Sequence, residues 1–164
     1  MKKLALCILM FLFLFAFSGC KEKSPEEINM HIDSSYTATI GNMGLEGLLI
    51  YTDEGKMYLD ISTPDELSGL SFSFDEDFTI GYRGLNAITE SGYLPDTSFA
   101  QSVKNSLDNA NFEKPTLEKS ADKKYTAIAK GDSGCYKIHT DEMGNIEEIE
   151  VTGTDVKLKL KAGN

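Results

Sequence analysis

Apolar and polar side chains alternate along most of the chain after residue 28. Segment 70–74 reads Leu-Ser-Phe-Ser-Phe, and segment 156–161 alternates apolar residues with lysines. Segments 57–61 and 78–82 follow the same period of two. In a strand this period puts every apolar side chain on one face. Since short turns such as Asp53-Glu54-Gly55 separate the segments, the pattern predicts about eight or nine antiparallel strands joined as hairpins.

The period changes once, in the segment 97–110. Phe99, Val103 and Leu107 are spaced four residues apart, which places them on one side of an α-helix. Ser98 followed by Gln101 matches a capping box at the start of such a helix. Between the last strand before it and this helix, residues 84–95 are predicted to form a loop or an irregular helix.

These elements predict an α+β fold that is mostly antiparallel β. One strongly curved sheet, an open half-barrel, with the amphipathic helix across its concave face would bury both apolar surfaces at once. After removal of an N-terminal segment, about 145 residues remain, which suits one domain with its own core. We therefore expect a single domain over residues 30–164.

The N-terminus has the composition of an export signal. Lys2 and Lys3 precede an apolar stretch, residues 4–17, that is long enough for a signal sequence and short for a membrane-spanning helix. Phe17-Ser-Gly-Cys20 closes this stretch and resembles the lipobox of bacterial lipoprotein signal peptides. The resemblance implies cleavage before Cys20 and lipidation of that cysteine. Two alternatives are a plain secretory signal with an incidental cysteine, and an uncleaved N-terminal anchor.

On this interpretation residues 1–19 are a lipoprotein signal peptide, and residues 20–29 are the lipidated cysteine and a polar tether. The protein would be extracytoplasmic and anchored to a membrane through Cys20. The lipid on Cys20 would insert into the outer leaflet of the bacterial cell membrane or, in a two-membrane envelope, into the outer membrane. Two or more acyl chains anchor a protein stably to a bilayer, whereas a single chain does not.

Charge and cysteine content exclude some partners. The chain has 16 Lys and Arg against 26 Asp and Glu, a formal net charge of −10, which argues against a nucleic-acid partner. Of the 3 cysteines, Cys7 lies in the signal and Cys20 would carry lipid. Cys135 then has no intramolecular disulfide partner, so the domain relies on its core.

The stretch 44–85 is similar to the LolA/LolB-like lipoprotein-carrier superfamily. The similarity lies in Gly-Leu-Glu-Gly-Leu-Leu-Ile-Tyr at 44–51, Tyr-Leu-Asp-Ile-Ser-Thr-Pro at 58–64, Leu-Ser-Gly-Leu-Ser-Phe at 67–72 and Gly-Tyr-Arg-Gly-Leu at 81–85. It implies an unclosed half-barrel covered by helices, whose hydrophobic cavity receives acyl chains. Carriers of this family begin with a helix, whereas this chain begins with a tether and a strand.

Apolar residues of the central strands and of the helix are the candidate ligand site. They are Met57, Leu59, Ile61, Leu70, Phe72, Phe74, Ile80, Tyr82, Phe99, Val103 and Leu107. Such residues could line a cavity for a lipid or a lipoprotein acyl chain, because apolar pockets with few polar groups suit acyl ligands. The alternative is a filled core, which needs the same residues and which the sequence alone slightly favours.

No group of residues predicts catalysis, a metal or a cofactor. His31 and His139 have no acidic residue at a metal-binding spacing, and the acidic turns at 75–77 and 141–142 do not match an EF-hand loop. Gly131-Asp-Ser-Gly134 lies between strands and lacks the strand-to-helix elbow of a nucleophilic serine. We therefore expect a non-enzymatic, lipid-anchored protein that binds a hydrophobic ligand under the helix. The alternative is a ligand-free envelope lipoprotein that binds or regulates a partner protein.

Overall fold

A computed structural model describes residues 25, 27–89, 94–120, 124–131 and 134–161. These residues form one sheet and one long helix. In chain order the elements are β1 Ile32–Ile40, β2 Met43–Tyr51, β3 Met57–Ile61, β4 Leu70–Phe74, β5 Phe78–Tyr82, β6 Leu85–Thr89, α1 Phe99–Glu113, β7 Glu118–Lys119, β8 Tyr125–Gly131, β9 Gly134–Thr140, β10 Ile146–Thr152 and β11 Val156–Leu160.

The sheet has 11 strands in the order β6-β5-β4-β3-β2-β1-β11-β10-β9-β8-β7 and does not close. Every strand pairing is antiparallel. Strand β1 lies at the centre because it pairs with β2 on one side and with β11, the last strand, on the other. The predicted mostly antiparallel β class with one helix is confirmed, and the number of strands is larger than the eight or nine predicted.

Strand β6 is one of the two unpredicted strands. The loop or irregular helix expected at residues 84–95 is wrong over residues 85–89, which pair with β5. Arg83 at φ 49° and Gly84 at φ 84° form a two-residue turn that sends the chain straight back along β5. The second unpredicted strand, β7, is only two residues long and has no apolar pattern to reveal it.

Helix α1 starts at Phe99, two residues after the start of the predicted segment 97–110, and ends three residues beyond Ala110. The Ser98 Oγ accepts a hydrogen bond from the Gln101 N–H at 3.4 Å, as the predicted cap requires. The second half of a capping box does not form, because the Ser98 N–H donates to the Pro95 carbonyl at 2.8 Å rather than to the Gln101 side chain. Lys114, at φ 43°, ends the helix in the left-handed region.

The two faces of the sheet differ in composition. We call the face that packs against α1 the helix face and the opposite one the outer face. Helix-face side chains and one side of α1 form the core, in which the largest fully buried side chains include Tyr36, Tyr51, Leu49, Leu59, Leu107, Ile138, Ile149 and Leu158. The outer face carries alternating lysines and glutamates over β10 and β11, because every second residue there points away from the core.

The chain enters the domain beside the β9–β10 turn. The Asn29 N–H donates to the Gly144 carbonyl at 2.9 Å, and Ile28 packs against the core. Residues 28 and 29, which the sequence assigns to the tether, therefore lie against the body of the domain. The predicted signal peptide, Cys20 and residues 21–24 and 26 of the predicted tether lie outside the described residues.

Candidate functional site

The residues predicted to line a ligand cavity fall into two groups. Met57, Leu59 and Ile61 of β3 are buried, and so are Val103 and Leu107 of the helix. They belong to one cluster with the core side chains of β1, β2, β9, β10 and β11. Since these side chains leave almost no accessible surface between them, this part of the predicted cavity is filled by the protein's own side chains.

The second group lies on the helix face of β4 and β5, which follow β3 towards the β6 edge of the sheet. Leu70, Phe72, Phe74 and Ile80 are half-buried, and Tyr82 is 38% exposed. Leu85 of β6, which sequence analysis missed, lies opposite Tyr82 and is 75% exposed. We call these six residues the apolar flank. Phe99, the remaining predicted residue, is half-buried near Tyr36, with ring centroids 6.0 Å apart.

Cross-strand register aligns the apolar flank in rows. Tyr82 pairs with Leu70 on one side and with Leu85 on the other. Ile80 pairs in the same way with Phe72 and with Ala87. Directly opposite side chains in adjacent antiparallel strands have Cβ atoms about 4.5–5.5 Å apart, so each row is a continuous apolar surface across three strands.

The apolar flank is only partly covered because the helix is shorter than the sheet is wide. A helix of 15 residues is about 22 Å long, whereas 11 strands at about 4.8 Å spacing span about 50 Å. Helix α1 packs mainly on β8 and β10. Lys104 marks its border with the apolar flank: the ammonium lies 5.9 Å from the centroid of the Phe74 ring and pairs with Asp108.

Polar groups lie at the opposite end of the apolar flank. The Arg83 guanidinium donates to the Asp65 carbonyl at 3.2 Å and lies 5.0 Å from the centroid of the Tyr82 ring. The Tyr82 hydroxyl donates to the Glu66 carbonyl at 3.3 Å. An apolar surface with a cation at one end has the chemistry required to bind a carboxylate with a hydrocarbon tail.

Several hydrogen bonds hold the helix in place. The Tyr51 hydroxyl donates to Asp108 Oδ1 at 2.8 Å, and the Asn111 amide donates to the Asp53 carbonyl at 2.9 Å. Burial, together with the hydrogen bond to Asp108, holds the pKa of Tyr51 well above its usual range, so the phenol remains a donor. Access to the core beneath the helix would require these bonds to break.

The outer face carries a cluster that sequence analysis missed. One ligand atom each from His139, Glu148 and Glu150 lie within 4.8 Å of one another. Spacing along the chain does not reveal this cluster; pairing of β9 with β10 sets Glu148 opposite His139. A register counted from the turn at 141–145 would have set Glu147 opposite His139, because an irregularity between Ile146 and Glu148 shifts the pairing by one residue.

The chain's own Lys157 occupies the position between these carboxylates. Its Nζ lies 2.5 Å from Glu148 Oε1 and 2.6 Å from Glu150 Oε1. The Lys157 hydrogen bond lowers the pKa of Glu150 despite partial burial. A metal ion would have to displace this ammonium, so the cluster functions as an ion-pair network between β10 and β11.

A groove of about 870 Å³ extends from this network towards the chain entry. Its walls include side chains of both signs, among them His31, Asp33, Lys124 and Lys161. Such a lining suits a polar or zwitterionic molecule and does not suit an acyl chain. The groove and the apolar flank are therefore chemically different surfaces on different parts of the sheet.

Comparison of the chain with protein-family models and with curated proteins finds no match. Within the described residues, no helix has the length and hydrophobicity needed to cross a membrane.

Proposed function

We propose that the protein is a lipid-anchored extracytoplasmic binding protein that holds a hydrophobic ligand, a lipid or an acyl chain, on the helix side of its sheet. The open antiparallel sheet with one helix on one face is compatible with the LolA/LolB-like half-barrel that the sequence resembles. Attachment to the membrane through Cys20 would keep the binding surface within reach of that membrane's lipids.

The observation that carries this proposal is the apolar flank. Monomeric proteins rarely leave a contiguous apolar surface uncovered unless it binds something. Here the surface is continuous with the core through Leu70, Phe72 and Phe74, so a hydrocarbon chain laid on it would extend the existing apolar packing. Arg83 at its end offers a partner for a carboxylate or phosphate head group.

The proposed site differs from the sequence-based one in its position. The acyl chain would lie beside the helix, across β4, β5 and β6, rather than beneath it. Capture would then need no displacement of α1, since the side chains that would touch the ligand are already accessible.

Native mass spectrometry of residues 21–164, which contain every helix and strand described, tests for a co-purifying lipid. A fluorescent fatty acid then measures affinity. We expect Phe72→Glu to weaken binding at least about tenfold, because it places a charge in the apolar contact. Leu85→Glu should do the same with little effect on folding, since Leu85 is largely exposed in the free protein.

Ser73→Glu is the matched control, because it adds the same charge to the same strand as Phe72→Glu does, but on the outer face. Circular dichroism and thermal unfolding verify that all three variants fold. Absence of any co-purifying lipid, together with no saturable binding of the fatty acid, would overturn the proposed function.

A second candidate, a ligand-free lipoprotein that binds a partner protein, is favoured by the packed core beneath the helix. The same experiment separates the two. If the wild-type protein binds no fatty acid yet captures an envelope protein through the apolar flank, the second candidate stands. In that case Leu85→Glu should abolish capture of the protein and Ser73→Glu should not.

A further inference from the structure

The two edges of the sheet are built differently. At one edge, β7 has two residues, both charged, and the part of β8 that β7 leaves unpaired carries Lys130. Charges on an edge strand are a common way to prevent a sheet from pairing with another chain. At the other edge, β6 has five residues, Leu85 to Thr89, and none is charged or proline. Leu85 and Ile88 are 75% and 71% exposed, one on each face of this strand. Strand β6 thus lacks the features that normally block edge pairing.

Absence of charge extends inward from this edge. Strands β4, β5 and β6 contain no Asp, Glu, Lys or Arg, in a chain that has 16 basic and 26 acidic residues. With a net charge of −10, two copies of the chain repel each other over most of their surface. The three strands at the β6 edge add no side-chain charge to this repulsion.

The backbone of β6 has hydrogen-bonding groups that point away from the sheet. A two-residue turn makes Tyr82 and Leu85 a hydrogen-bonded pair, so the N–H and C=O groups of Leu85, Ala87 and Thr89 point towards β5. The N–H and C=O groups of Asn86 and Ile88 point in the opposite direction, away from β5. Among the described residues no strand pairs with that side, since the sheet order ends at β6.

We propose that β6 pairs antiparallel with β6 of a second copy of this chain, around a two-fold axis at Ala87. In this register Asn86 lies opposite Ile88 of the other copy, and the outward N–H and C=O groups of both residues meet. Two such pairs related by the two-fold axis provide four interchain hydrogen bonds. Ala87 faces Ala87, where the small side chains allow close approach.

The pairing has a consequence for the apolar flank. A two-fold axis perpendicular to the sheet keeps the helix faces of both copies on the same side. Leu85 of one copy then lies opposite Thr89 of the other, and the two flanks join into one apolar surface. The dimer does not require the proposed ligand, because hydrogen bonds between the two strand backbones hold it together.

Single-cysteine variants in a Cys135→Ser background test the register. We expect Ala87→Cys to form a disulfide-linked dimer under mild oxidation, since directly opposite residues have disulfide-compatible Cα distances. Asn86→Cys and Ile88→Cys alone should cross-link at least about tenfold more slowly, because their symmetry mates are offset by two residues. An equal mixture of those two variants should form the mixed dimer.

Sedimentation equilibrium of the unmodified chain from residue 21 tests the dimer directly. We expect a concentration-dependent dimer that Ile88→Lys weakens at least about tenfold by placing a charge at the edge. Ile128→Lys is the matched control, because Ile128 is a 58% exposed isoleucine of β8, near the opposite end of the sheet from β6. A protein that stays monomeric up to millimolar concentration, or Ala87→Cys and Asn86→Cys cross-linking equally fast, would overturn the proposal.

Discussion

Gly47 shows how one residue sets the approach of two strands. A Cβ atom at this position would lie 1.9 Å from the carbonyl oxygen of Asp60 in β3. That carbonyl also accepts a hydrogen bond from the buried Tyr36 hydroxyl at 2.8 Å, and the Asp60 carboxylate accepts one from the Leu48 N–H at 2.8 Å. Burial raises the pKa of Tyr36 far above its usual range, so the phenol stays a donor.

Gly47→Ala is therefore expected to lower the free energy of unfolding by about 3 kcal/mol or more, because the added methyl group clashes with backbone that cannot move without breaking these bonds. Gly44→Ala in the same strand is the control, since nothing lies within 4 Å of its added Cβ. Urea denaturation of both variants measures the difference. Equal stability of the two variants would contradict this account of Gly47.

At the scale of elements, α1 is a structural part of the core. Val103, Leu107 and Ala110 are buried against the sheet, and the serine between them, Ser106, donates to the Ser102 carbonyl at 2.8 Å. A helix held this way contributes to stability in the free protein. A helix that opens to admit a ligand would instead be only weakly coupled to the rest of the fold.

Leu107→Ala is expected to destabilise the protein by about 2–5 kcal/mol, as for other fully buried leucines. Phe112→Ala on the same helix should change stability by less than about 0.5 kcal/mol, because Phe112 is 72% exposed. Thermal and denaturant unfolding provide the comparison. A small effect of Leu107→Ala would favour a mobile lid and would restore the site predicted beneath the helix.

The sequence predicted the position of this helix, but it did not predict which part of the sheet the helix leaves exposed. Phe99, Val103 and Leu107 have helical spacing. Such spacing identifies the apolar side of a helix, but it does not say which strands that side packs against. Strand alternation likewise placed Phe72 and Leu59 on the same face. It could not tell that Leu59 is fully buried and Phe72 only half-buried, because that depends on where the helix lies along the sheet.

For the molecule as a whole, the first and last strands of the chain lie next to each other at the centre of the sheet. Strand β1 pairs with β11, and the Lys161 N–H donates to the Ser35 carbonyl at 2.8 Å. From Cys20 to Pro25 an extended chain spans at most about 18 Å. If Cys20 carries lipid, the domain is thus held near the bilayer, where its acidic surface is repelled by anionic head groups.

The anchor itself is tested by substitution in the full-length chain. Cys20→Ser should abolish incorporation of labelled palmitate and block cleavage by the lipoprotein peptidase, because the lipobox resemblance assigns both steps to this thiol. Cys7→Ser and Cys135→Ser are matched controls that remove the other cysteines. Labelling and membrane fractionation in a bacterial host measure the result. Unchanged labelling of Cys20→Ser would refute lipidation at this residue.

The sequence alone determined the antiparallel β class, the position of the helix and the existence of one continuous apolar face. Periodicity is sufficient for these features, because it reflects the local geometry of strands and helices. Tertiary structure decided how that face is divided into a packed core and an open flank, since a helix of 15 residues covers only part of an 11-stranded sheet. It also decided that Lys157 lies between Glu148 and Glu150, because neighbours across strands are set by register rather than by distance along the chain.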